Sequence, residues 1–138
     1  MKGLYAVLVG CDYRGDDRPE TEPLVAAEAD AKRLAALLLA GPLPGGELRN
    51  LRLMVGATAT TAGIQDAIAS AVHEAADETD TVLLFFSGHG RRGENGLVLY
   101  TWDGTYDGRS LLDDLTGGPA QKRAVLDCCH AAAIGQEA

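Results

Sequence analysis

Cysteine is scarce in this chain, and what there is does not pair. Of 138 residues only Cys11, Cys128 and Cys129 carry thiols. The number is odd and two are adjacent, a poor arrangement for a disulfide framework, so the thiols are read as reduced. Long apolar runs are missing as well. None approaches the roughly 20 residues that cross a bilayer, and the short apolar block in "MKGLYAVLVG" has no small-residue cleavage site behind it. Neither a membrane partner nor a secretory leader is expected, and a cytoplasmic location is. Bases are the minority, 12 against 20 acids for a formal charge of -8, and they form no stripe, which argues against a nucleic-acid partner. Internal repeats and low-complexity segments are absent too.

What remains is 46% hydrophobic and 23% charged, one domain's worth of sequence with enough apolar matter for a core. Residues 4–9 (LYAVLV) are an apolar run ending in Gly10, the pattern of a strand buried on both faces of a parallel sheet. The polar stretch 12–22 reads as loop. Over residues 23–39, Leu24, Ala27, Ala31, Leu34 and Leu38 recur at three- and four-residue steps, which predicts an amphipathic helix stopped by Gly41 and Pro42. Residues 50–55 read as a second strand. Thr60 or Thr61 can cap a second helix running to about residue 76. Residues 81–86 (TVLLFF) and 123–127 (RAVLD) read as further strands, 97–101 as a small additional one and 110–115 as a short helix. Four glycines among charged residues make 88–96 an expected exposed, mobile loop. Strands alternating with helices of a dozen residues imply an α/β fold: a mostly parallel central sheet with helices on both faces.

In such a sheet, ligands bind beyond the carboxyl ends of the strands. Two candidates stand there. His89, between Gly88 and Gly90, lies three residues past Phe86, and Cys129 lies two past Asp127, so each follows its strand at almost the same offset. If the strands are neighbours, the side chains face each other across one crevice. A thiol with an ordinary pKa of about 8.5 needs a base or a positive field to become a thiolate, and an imidazole supplies that. The glycines beside His89 allow close backbone approach to a substrate carbonyl. The N–H groups of Gly90 and Cys129 are candidate oxyanion-hole donors, worth roughly 3 to 4 kcal/mol each in the transition state. The segment after Cys129 can begin a helix whose positive end favours the thiolate. Taken singly, a histidine after a strand is more often a structural residue and a buried cysteine a small hydrophobe. Their occurrence together at matched strand ends is what points to chemistry.

An apolar strand running into Ser87-Gly88-His89-Gly90, with a second running into Asp127-Cys128-Cys129-His130, resembles the caspase-like cysteine peptidases, specifically the metacaspase and bacterial caspase-homologue branch. The resemblance extends from "YAVLVGCDY" through "LVAAEADAKRLAALL" to the cysteine motif. It implies a caspase-hemoglobinase fold, His89 as base and Cys129, the residue before His130, as nucleophile. Cys128 occupies the variable place, and strand alternation turns it to the opposite side. In metacaspases the positions matching Asp30, Ser87 and Asp127 line the S1 pocket, which implies cleavage after arginine or lysine, since two carboxylates in one narrow pocket want a cation. The resemblance also implies a protein or peptide substrate and a role in regulated cell death or bacterial immunity, within a regulatory or immune complex.

Two departures follow. Ala131 and Ala132 stand where the family often has Ser-Gly, which leaves the backbone donors unchanged. In the family, further strands follow in a small subunit, so residues 1–138 read as the large-subunit portion alone, a processed product or one piece of a larger complex whose unpaired sheet edge is a docking site for the rest. Some metacaspases depend on calcium, and Asp12, Asp16, Asp17, Asp103, Asp107, Asp113 and Asp114 offer oxygen ligands, but none has calcium-loop spacing and no metal or other cofactor is assigned. Two alternatives stand beside the peptidase: a non-catalytic scaffold of the same fold, which has no need of His89 and Cys129, and a metal site of His89, Cys128, Cys129 and His130, which adjacent cysteines disfavour.

Overall fold

The chain was analysed as a computed structural model, which describes residues 2–128. The 4–9 run is the middle of strand β1 (Lys2–Gly10), the innermost element. Its alternate side chains go to two cores. Ala6 and Leu8 meet helix α1 (Ala27–Ala40), while Val7 and Val9 meet the opposite face, and all four have no exposed surface. That is why the segment reads as unbroken hydrophobicity.

Strands β2 (Gly46–Val55), β3 (Thr81–Ser87) and β7 (Gln121–Asp127) complete a four-stranded sheet in the order β2-β1-β3-β7, parallel throughout. Helix α2 (Thr61–Glu74) and the short α3 (Gly108–Leu115) bury Ile64, Ile68, Ala71, Leu111 and Leu115 against Val82, Leu84 and Phe86. The chain moves from β1 outward to β2 by way of α1, then back past β1 to β3 by way of α2. Reversing direction puts α1 and α2 on opposite faces, as right-handed crossovers require. The α/β reading with helices on both faces holds.

Local chemistry sets the ends. Thr60 caps α2, its hydroxyl accepting from Gly63 N at 3.0 Å, as expected of a threonine there, and Asp107 caps α3 by accepting from Ser110 N at 2.9 Å. The first helix was expected from residue 23 but starts at Ala27. Ala26 offers no cap, and Asp12, fourteen residues upstream, supplies one by accepting from Glu28 N at 3.1 Å. Pro23–Val25 stay in the loop, where Leu24 N donates to the Asp12 carbonyl.

The expected loop over 88–96 is instead mostly a β-hairpin. Strands β4 (Gly90–Gly93) and β5 (Gly96–Tyr100) pair antiparallel, and β5 pairs with β6 (Thr105–Asp107), a strand too short to show in the sequence. Leu97 and Leu99 are buried in the same core as α2 and α3, and that burial holds the glycine-rich ribbon.

Candidate active site

The order β2-β1-β3-β7 reverses between β1 and β3. The chain leaves β1 toward β2 and leaves β3 toward β7, which makes the carboxyl ends of β1 and β3 the topological switch point, the usual ligand position in an open α/β sheet. Gly10, Ser87 and Asp127 form one row across the ends of β1, β3 and β7. The loop after β1 and the Gly88–Gly90 turn after β3 meet above it.

His89 is held there from every side. Its backbone N–H donates to the Tyr13 hydroxyl at 2.8 Å, and its carbonyl accepts from Tyr100 N at 3.0 Å. Nε2 lies 2.6 Å from the Glu22 carbonyl, and the imidazole stacks on the Tyr13 ring with centroids 5.0 Å apart and planes tilted by 32°. A carbonyl only accepts, so the Nε2 of the neutral ring carries the proton and Nδ1 is the basic nitrogen. Gly88 is glycine for an internal reason. A Cβ there would stand 2.6 Å from the Tyr13 hydroxyl, so the close approach is to Tyr13, whereas the sequence suggested a substrate. The bond from Tyr100 N to the His89 carbonyl makes Gly90 and Leu99 a wide pair in the hairpin, and in such a pair the N–H points away from the partner strand.

Ser87 is buried at 4% exposure and, with its register partner Asp127, belongs to the sheet face that carries Leu83 and Phe85 toward α1. Asp127 itself is exposed. Gly10 lets α1 close on this row: a Cβ on it would lie 2.5 Å from the Ala27 carbonyl and 2.9 Å from the Ala31 Cβ. Asp30, one turn after Ala27 on α1, is partly buried and makes a surface pair with Arg33 at 3.4 Å. Ser87 and Asp127 are thus neighbours in register, while Asp30 stands on α1.

The cysteines differ sharply. Cys11 is fully buried, and burial pushes its thiol up to about 11, so it is protonated near neutrality. Cys128 packs with Leu126 against the core on the α2 side. Cys129, His130, Ala131 and Ala132 lie outside the described residues. The match to known families covers them: a family model for the peptidase C14 caspase domain matches residues 4–138. The chain belongs to the caspase-domain family. Membership carries with it a cysteine-peptidase type of function and a protein substrate. No curated protein matches the chain.

In this caspase domain five of the seven aspartates named above have partners within the protein. Asp12 accepts from Glu28 N, Asp16 is tied to Arg18, Asp103 accepts from Thr61 N, Asp107 caps α3, and Asp114 accepts from Tyr106 and Gln65. Among the described residues no three His, Cys, Asp or Glu side chains could hold a metal ion. No helix among them is long and apolar enough to cross a membrane.

Sequence reasoning missed Tyr13, Arg18, Glu22 and Tyr100. Glu22 acts through its backbone carbonyl, which no residue type announces. Arg18 staples the loop that bears Tyr13 and Glu22: its guanidinium donates to Asp16 at 2.6 Å and to the carbonyls of Thr101 at 2.7 Å, Gly104 at 2.9 Å and Trp102 at 3.3 Å. That pairing holds the Asp16 carboxyl down at about 2. The three contacts to carbonyls span more than eighty residues of chain and leave no periodic trace.

Proposed function

We propose that this caspase domain is a cysteine endopeptidase that cleaves after arginine or lysine, with His89 as base and Cys129 as nucleophile. The observation that carries the reading is the anchoring of His89. Its Nε2–H is committed to the Glu22 carbonyl, which leaves Nδ1 as the basic nitrogen at the end of a strand paired in register with the one that runs into Cys129.

In the reaction Nδ1 takes the Cys129 proton, and the thiolate attacks the carbonyl carbon of the scissile peptide. The C–S bond forms as the carbonyl electron pair moves onto oxygen. The N–H groups of Gly90 and Cys129 receive that oxyanion, a role suited to the outward N–H of a wide pair. On collapse the C–N bond breaks, the amine leaves with the proton from Nδ1, and a thioester remains. Water then attacks the thioester, giving its proton to Nδ1, and the acid is released as the thiol re-forms. Glu22 keeps the imidazolium oriented throughout.

A basic P1 side chain enters beside Asp30, Ser87 and Asp127 and supplies the cation that two carboxylates require. The partner on the protein's own side is the small-subunit portion of the same domain, seated on the outer edge of β7, where Val125 is half exposed. The setting is cytoplasmic, and the resemblance to metacaspases points to regulated cell death or bacterial immunity. The test uses the complete protein with fluorogenic peptides bearing Arg, Lys or Asp at P1. Activity on Arg and Lys that survives Cys128→Ala and vanishes with Cys129→Ala is the expected result. Cleavage after Asp overturns the acidic pocket, and activity that survives Cys129→Ala overturns the nucleophile.

A further inference from the structure

Tyr13 is built into the site in a way its neighbours do not require. It has no exposed surface, and its φ of 60° makes it the one non-glycine residue with a positive φ among the described residues. A tyrosine in the left-handed region is strained, and such strain persists only where surrounding contacts enforce it. Here the hydroxyl donates to the Tyr100 carbonyl at 2.6 Å while accepting from His89 N at 2.8 Å. One oxygen therefore ties the turn after β3 to the end of β5. The ring of the same residue lies against the imidazole. Burial pushes the phenol's pKa up from the ordinary value, which favours its neutral form.

We infer that Tyr13 is the positioning residue of His89: its hydroxyl sets where the His89 backbone stands, and its ring sets the plane of the imidazole so that Nε2 meets Glu22 and Nδ1 is left as the basic nitrogen. As a statement about catalysis this rests on the peptidase reading. As a statement about the imidazole it does not.

Tyr13→Phe keeps the ring and removes the tie. Nitrogen-15 NMR of the histidine rings then reads the tautomer without any need for activity. The native His89 ring is expected in the Nε2–H form, and in Tyr13→Phe its nitrogen shifts move toward those of a mixed tautomer. In the complete, active protein kcat falls about tenfold, the equivalent of one hydrogen bond, while KM stays within about twofold. Tyr106→Phe is the matched control, because it deletes another largely buried hydroxyl bond, to Asp114 at 2.5 Å, and should leave the His89 shifts in place. Gly88→Ala supplies an independent arm. Its Cβ collides with the Tyr13 hydroxyl, so the substitution disturbs the His89 ring less in the Tyr13→Phe background than alone. Unchanged His89 nitrogen shifts in Tyr13→Phe, or equal effects of Gly88→Ala in both backgrounds, overturn the inference. Altered shifts in a protein with no peptidase activity leave the positioning role standing and overturn the peptidase reading instead.

Discussion

The two interior strands and the edge strand that meet at the candidate site are built to different standards. β1 and β3 are paired on both sides, and His89 at the end of β3 has its backbone N–H, its carbonyl, its ring nitrogen and its ring face all engaged. β7 is an edge strand among the described residues. Arg123, Ala124, Val125 and Asp127 are exposed, and a groove of about 390 Å³ lined by Leu112, Leu115 and Ala124 runs along one face of it. The His89 imidazole is therefore fixed in place by local packing. β7, by contrast, has one hydrogen-bonded neighbour among the described residues, so less local packing fixes it.

Several substitutions sharpen or break this contrast. His89→Ala should lower kcat/KM by about 10³-fold or more with little change in melting temperature, because the ring is partly exposed and packs on one residue. A loss of folding instead would make His89 part of the core and erase the distinction. Leu8→Ala in β1 should cost about 3 kcal/mol in urea unfolding, while Val125→Ala in β7 costs under about 1 kcal/mol. Equal costs would mean that β7 is buried in solution.

Arg18→Gln frees three carbonyls and Asp16, and should cost about 2 kcal/mol, a fall in Tm of several degrees, together with reduced activity as Glu22 loses its fixed place. The same pair sets an acid limb. The carboxyl of Asp16 is depressed in the folded state to about 2, so its contribution is complete above the unfolded carboxylate range near pH 4 and is lost as pH falls toward 2. The urea midpoint should drop less steeply over that window in Arg18→Gln than in the native protein. The smallest effect concerns Cys11. With its thiol raised to about 11 by burial, it should resist iodoacetamide at pH 8 in the native state and react at once in denaturant, as mass spectrometry of the labelled peptide will report.

The long elements were legible because each carries its own period. The Ala and Leu steps of α1, the Thr60 cap of α2 and the apolar runs of β1 and β3 all announce structure that a few adjacent residues stabilise. The hairpin β4–β5 was not legible. Its glycines and charges carry loop chemistry, and only the burial of Leu97 and Leu99 under α2 and α3 makes a ribbon of it. The four-residue delay in the start of α1 has the same origin, since its cap comes from Asp12 across a loop.

The sequence alone determined that a histidine and a cysteine follow apolar strand-forming runs at nearly matched offsets, because strand propensity and the turn at its end are properties of short segments. Which strands lie side by side, and that His89 is clamped by Tyr13, Glu22 and Tyr100, was decided only in three dimensions. Those contacts join residues 11 to 76 positions apart and are made by hydroxyls and backbone carbonyls, groups whose partners are chosen by the closing of the fold and not by the spacing of side chains along it.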